Sequence, residues 1–299
     1  MNTEIADKSV APAALPVARL IAWSVKRELW ENRALIIAPL SVAGVILLGF
    51  VLSIPHHFRF AEFAAAVEKG VHELEKPYDI IAIIIIVTGL VTTAFYCLDA
   101  LYAERRDRSI LFWKSLPVSD FHAVLAKACV PMLVFPVVVF VVALATQFVV
   151  LLLSTAVLAA NSISPAPLWT LIPWFSGSIV LIYGLIVIVL WYAPLFAWLL
   201  LVSAWAKRTP FLWLILPPLM VMIVEKIAFG TRQFAEMLGY RFNGSFHLAF
   251  DSNTEFGIDK LAQLDPLRFL STPGLWIGLA FAAAFLYAAV RLRRYREPI

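Results

Sequence analysis

Charge is what this chain of 299 residues has least of: 15% of its residues are Asp, Glu, Lys or Arg, while 62% are hydrophobic. Soluble domains carry about 25% charged residues. The shortfall, together with apolar runs near ~20 residues, excludes an ordinary water-soluble globule and marks an integral membrane protein. With several spans to accommodate, the chain has no room for a large soluble domain. Cysteine is also scarce. Cys97 and Cys129 both fall in expected membrane helices, which argues against a disulfide framework, and neither has the neighbouring His of a metal site. No Gly-x-x-x-x-Gly-Lys-Ser/Thr motif occurs, so the chain has no phosphate-cradling loop for ATP. The first thirty residues lack a compact apolar core and a small-residue cleavage site, so no cleaved signal peptide is expected. No Ser/His/Asp, Cys/His or paired-carboxylate constellation falls on one face, and no catalytic residue is assigned. The net charge of +4 is spread over many loops. It reads as membrane topology, not as a nucleic-acid surface.

What is present is a succession of apolar helices. Residues 1–16 are Ala/Pro-rich and read as a disordered tail. Over 17–33, Arg19, Trp23, Lys26, Trp30 and Arg33 recur at helical spacing on one stripe. Basic and Trp side chains together suit a headgroup interface, so this segment is expected to be an amphipathic interfacial helix. Six spans follow within 34–290: about 34–54, 79–98, 120–158, 174–204, 211–229 and 273–290. Ser119 is a plausible N-cap for the third, which exceeds ~20 residues. Its start is therefore expected outside the bilayer, with a kink or tilt from Pro131 and Pro136. A polar loop covers 230–272, and 291–299 form a basic tail. The N-terminal segment, the second and fourth loops and the tail hold sixteen Lys and Arg; the opposite loops hold seven. The positive-inside rule then places both termini in the cytoplasm, as an even number of spans requires.

The loop at 100–119 carries the densest signal. Its run Tyr102-Ala103-Glu104-Arg105-Arg106-Asp107-Arg108-Ser109-Ile110-Leu111-Phe112-Trp113 leads into Lys114-Ser115-Leu116-Pro117-Val118-Ser119. Glu104 and Arg108 are spaced to pair on a helix surface. Phe112, Trp113 and Leu116 give the segment an apolar end suited to a groove on another protein. A solvated topological loop would explain the arginines but not an exposed Phe-Trp pair. With the six-span layout and the lead-in helix, the loop resembles the cytoplasmic coupling segment between the second and third helices of ABC-2 type transporter permeases.

The resemblance implies an all-α, six-span, ABC-2 exporter-like membrane subunit in a bacterial cytoplasmic membrane, with a coupling helix between its second and third spans. It also implies a homo- or heterodimer with a second permease subunit, and two copies of a separate ABC ATPase that hold ATP and Mg. This chain itself would bind no cofactor and would not be an enzyme. Glu104, Arg105, Arg108, Phe112 and Trp113 become the expected ATPase-docking residues. The cargo would be hydrophobic or amphipathic, such as a drug, an antimicrobial peptide or a lipid. The alternatives are a membrane-embedded enzyme, or a sensor or scaffold that recruits a cytoplasmic partner without transport.

Two further groups stand out. Glu225 and Lys226 interrupt the fifth span after Pro217-Pro218. They read either as translocation or gating residues or as charges at the interface where the span ends. His56, His57, His72 and Glu73 match no metal-ligand spacing, and no metal site is assigned. Asn243-Gly244-Ser245 is a formal glycosylation sequon, a match common by chance.

Overall fold

The computed structural model describes residues 17–57, 71–111, 119–170, 172–250 and 264–295. Among the described residues the chain is helical, with no strand beyond an isolated antiparallel bridge between Phe250 and Leu264. In chain order the helices are α1 (Val17–Glu31), α2 (Ala34–His57), α3 (Val71–Arg106), α4 (Asp120–Cys129), α5 (Phe135–Ala160), α6 (Ala166–Thr170), α7 (Trp174–Trp205), α8 (Pro210–Phe229), α9 (Gln233–Ala249), α10 (Pro266–Ser271) and α11 (Pro273–Tyr295). A π-helical segment, Val130–Val134, joins α4 to α5. Six segments are long and apolar enough to cross a membrane: Ala34–Ile54, Leu74–Arg106, Asp120–Ala160, Trp174–Trp205, Pro210–Phe229 and Pro273–Tyr295. The protein is thus an all-α, multi-pass membrane protein.

The middle of the bundle is built on α7, whose buried residues include Trp191, Ala197, Leu200 and Val202. It packs against α3 and α11, while α5 fills the space between α3 and α2. Gly89 lets α3 approach α5: a Cβ there would meet the side chains of Val139 and Phe135, the latter's Cε2 at 3.0 Å. Small residues serve this purpose in membrane helices, where close van der Waals packing drives association. At the edge of the bundle, α8 buries none of its residues.

The third span is one helix of 41 residues. At 1.5 Å per residue it is about 60 Å long, twice the ~30 Å of a hydrocarbon core, so one end must project beyond it. The expected irregularity is the π segment. Pro131 and Pro136 have no N–H for the carbonyls of Lys127 and Met132. The chain adapts by a wider turn in which the Phe135 N–H bonds the Val130 carbonyl, five residues back.

Two expected boundaries move. The second span was expected to stop near residue 98, but α3 runs unbroken to Arg106. Nothing between Asp99 and Arg106 breaks a helix, and Arg105 and Arg106 in the last turn favour the helix dipole. The run Tyr102–Arg106 therefore extends the membrane helix instead of opening a separate one. Likewise α11 continues to Tyr295, so Arg291–Tyr295 belong to the last helix and not to a free tail.

The 230–272 region contains two helices instead of a plain polar loop. After a left-handed turn at Gly230, α9 folds back onto the middle of α7. The Trp191 indole N–H donates to the Arg241 carbonyl at 2.7 Å, and Arg241 Nη1 donates to the Trp191 carbonyl at 3.2 Å. Arg241 also donates to the Gly274 carbonyl at 2.9 Å, and its guanidinium lies 4.4 Å from the Trp191 ring. Gly278 is required beside it, since a Cβ there would fall within 2.8 Å of the guanidinium carbon. The sequon residues 243–245 lie inside α9.

Candidate functional site: a buried charge cluster beside the loop

The densest concentration of buried charge lies at one end of the bundle. Glu28 of α1, Glu104 and Arg105 of α3, Lys127 of α4 and Arg293 of α11 are each less than a tenth exposed. Lys127 Nζ lies 2.9 and 3.1 Å from the two Glu28 oxygens and 3.1 Å from Glu104 Oε1. The other Glu104 oxygen accepts from Arg293 Nη1. Arg293 Nε continues to Asp120 Oδ1 at 3.1 Å. The Tyr96 hydroxyl donates to Glu28 Oε2 at 2.9 Å, and Arg27 Nη2 sits 2.8 Å from Glu28 Oε1. Three carboxylates (Glu28, Glu104, Asp120) thus face three cations (Arg27, Lys127, Arg293).

Electrostatics hold Glu28 ionised. Burial, the largest influence, would raise its pKa. The Lys127 charge, the hydrogen bonds from Lys127 and Arg27 and the Arg27 charge together outweigh it, and the pKa is lowered from the ordinary 4.5. A second anchor lies alongside. Arg105 Nη2 donates to the carbonyls of Ser203 and Ala206, at 2.9 and 2.5 Å. A cation there satisfies end carbonyls of α7 and complements its dipole. The Leu101 and Tyr102 N–H groups lie 3.0 and 2.9 Å from Ser203 Oγ, tying α3 to α7.

The cluster grips both stems of the 107–119 loop. One stem is the end of α3, with Glu104 and Arg105. The other is the start of α4, where Ser119 caps the helix by accepting from the His122 N–H at 3.3 Å and Asp120 holds Arg293. α1 and the end of α11 both attach to α4, so the two ends of the described chain meet at the same end of the bundle.

This geometry corrects part of the expected docking set. Glu104 and Arg105 were expected to dock against a partner ATPase, but they are 8% and 3% exposed and engaged internally. The Glu104–Arg108 helix pair does not form. α3 ends at Arg106, and Arg108 takes a left-handed backbone with φ 57°, so the two residues no longer share a helix. Glu104 finds Lys127 and Arg293 instead. Arg108 is exposed, and Phe112 and Trp113 lie outside the described residues.

Glu225 and Lys226 are in the last turns of α8. Glu225 accepts from the Thr231 hydroxyl and the Gln233 N–H, both at 2.7 Å, and from the Phe234 N–H at 3.0 Å. It caps the N-terminus of α9 across the Gly230 turn. Lys226 is exposed.

Glu28, Tyr96, Asp120, Lys127, Ser203 and Arg293 were not singled out from the sequence. A signal existed for Lys127, an ionisable residue between Val124-Leu125-Ala126 and Ala128-Cys129-Val130. For Glu28 the hint was its place opposite the Trp/basic stripe. No family model, curated protein or solved structure matches the chain.

Proposed function

We propose that this chain is the membrane subunit of an ABC-2 type exporter, which moves a hydrophobic or amphipathic substrate across a bacterial cytoplasmic membrane. Both termini and the 107–119 loop face the cytoplasm. A separate ATPase, in two copies, binds ATP and Mg and docks on the loop. A second permease subunit packs beside this one. The largely exposed α8 is a natural contact for it, since none of its residues is fully buried by its own chain.

The observation that carries the reading is the charge cluster on the loop's two stems. A loop that only marks topology has no use for stems held by buried ion pairs. A loop that transmits ATP-driven motion does, because a soft stem would absorb the movement. Ion pairs between α1, α3, α4 and α11 make these elements respond together. The driving requirement is that the docked loop interacts differently with the open and closed ATPase.

The test is copurification of an ATPase with the tagged full-length chain, followed by nucleotide hydrolysis by the complex. Trp113→Ala should weaken ATPase binding by roughly thirty-fold, as expected for truncating an aromatic anchor worth ~2 kcal/mol. Arg108→Ala should change it little. An ATPase that binds but whose hydrolysis never responds to any amphipathic compound would favour the scaffold reading. Unchanged binding and hydrolysis in Trp113→Ala would overturn the docking role.

A further inference from the structure

The outer face of α1 is the feature that the transport reading leaves unused. Arg19, Trp23, Lys26 and Trp30 of α1, and Arg33 just past its end, are all exposed, the two indoles at 64% and 66%. Lys26 stands between them, its Nζ 5.6 Å from the Trp23 ring and 5.1 Å from the Trp30 ring. Both distances are within cation–π range. The opposite face is committed to protein, because Glu28 is buried against Lys127 and Tyr96. The helix therefore cannot roll to hide its tryptophans. Its depth is set as well. Arg33 directly precedes Ala34, the first residue of a membrane-spanning segment, and the Asn32 corner is closed by its N–H and side-chain amide bonding the Glu28 carbonyl at 2.9 and 3.1 Å.

From this arrangement we infer that the stripe is a binding surface for anionic phospholipid headgroups. Two cations and two indoles line it, a third cation, Arg33, follows at the corner beyond it, and it carries no carboxylate. The nearest exposed acid on the helix, Glu31, is off the stripe and 3.4 Å from Arg27. Indole rings suit the boundary between headgroups and acyl chains. A lysine flanked by two such rings presents its ammonium at phosphate level, with the rings shielding it from water. A zwitterionic surface offers no net charge to match three cations; an anionic leaflet does. A protein partner would be expected to meet this stripe with carboxylates and would leave it insensitive to lipid. The inference stands independently of the transport reading, since it concerns binding alone.

The test uses the purified full-length chain in phosphatidylcholine nanodiscs doped with increasing fractions of brominated phosphatidylglycerol, or of brominated phosphatidylcholine. Tryptophan fluorescence is read in the wild type and in Trp23→Phe/Trp30→Phe, and the difference isolates the two stripe indoles. Bromination of the anionic lipid should quench them at a lower lipid fraction than bromination of the zwitterionic one. Each cation near an anionic surface contributes roughly five-fold in partitioning. Lys26→Gln should thus raise the half-quenching fraction several-fold, and Arg19→Gln/Lys26→Gln/Arg33→Gln by ten-fold or more. Lys26→Arg should keep the wild-type value, and high salt should mimic the triple variant. Equal quenching by both lipids, no quenching by either, or an unchanged midpoint in the triple variant would overturn the inference.

Discussion

Replacing Lys127 with alanine should be among the most damaging single changes in the chain. Its side chain is 3% exposed and its ammonium serves two carboxylates, Glu28 and Glu104. Removal leaves Glu28 with Arg27 and Tyr96, and Glu104 with Arg293. The Arg27 side chain, 29% exposed, is 3.9 Å from Glu104 and does not replace the lost cation. Breaking a buried ion pair from one side typically costs ~3–5 kcal/mol, because the abandoned charge stays buried. The measurement is denaturant unfolding in mixed micelles. In a Glu28→Gln background the same change should cost less by about 1–3 kcal/mol, the coupling expected of groups in direct contact. Asp107→Ala provides a contrast: its pair with Arg106 at 3.0 Å is more than half exposed, and the change should leave stability nearly unaltered. Acid adds a second readout. The folded pKa of Glu28 is lowered below the ordinary 4.5, so its stabilising contribution is present above that value and is lost as pH falls through the lowered one. Stability should hold from neutrality to about pH 5 and then decline, with a shallower decline in Glu28→Gln. A cost for Lys127→Ala below ~1 kcal/mol, or strict additivity with Glu28→Gln, would refute the reasoning.

Glu225→Ala removes the acceptor of three hydrogen bonds at the start of α9; faster amide exchange at Gln233 and Phe234 is expected, with assembly intact. Transport lost while that exchange stays unchanged would instead mark Glu225 as a path residue. Asp107→Cys in a Cys97→Ala/Cys129→Ala background should react with an impermeant thiol reagent only from the cytoplasmic side, and labelling from outside intact cells would overturn the orientation.

The six membrane helices were legible in the sequence because membrane insertion depends on local composition and length, which a run of apolar residues states directly. The outward Trp/basic stripe of α1 was legible over residues 19–30 for a similar reason, since helical spacing alone decides which residues share a face; Arg33, expected on the same stripe, lies past the end of the helix at Glu31. The Ser119 cap and the irregularity at Pro131 and Pro136 were also local properties, readable from a few consecutive residues. The role of the charged loop was read less well. Glu104 and Arg105 looked like surface charges because nothing near them in sequence offers a buried partner. Their partners lie far along the chain: Arg293 is 189 residues from Glu104, the Ser203 carbonyl 98 from Arg105, and Lys127 99 from Glu28. A charge is affordable in the interior only when an opposite one is held against it, and pattern within one helix carries no record of which other helix will supply it. Composition therefore determined that this chain carries, among its described residues, six helices long and apolar enough to cross a membrane. Only the packing of α1, α3, α4, α7 and α11 decided which of its scarce charges are neutralised inside and which, like Arg108 and Lys26, are left to meet something else.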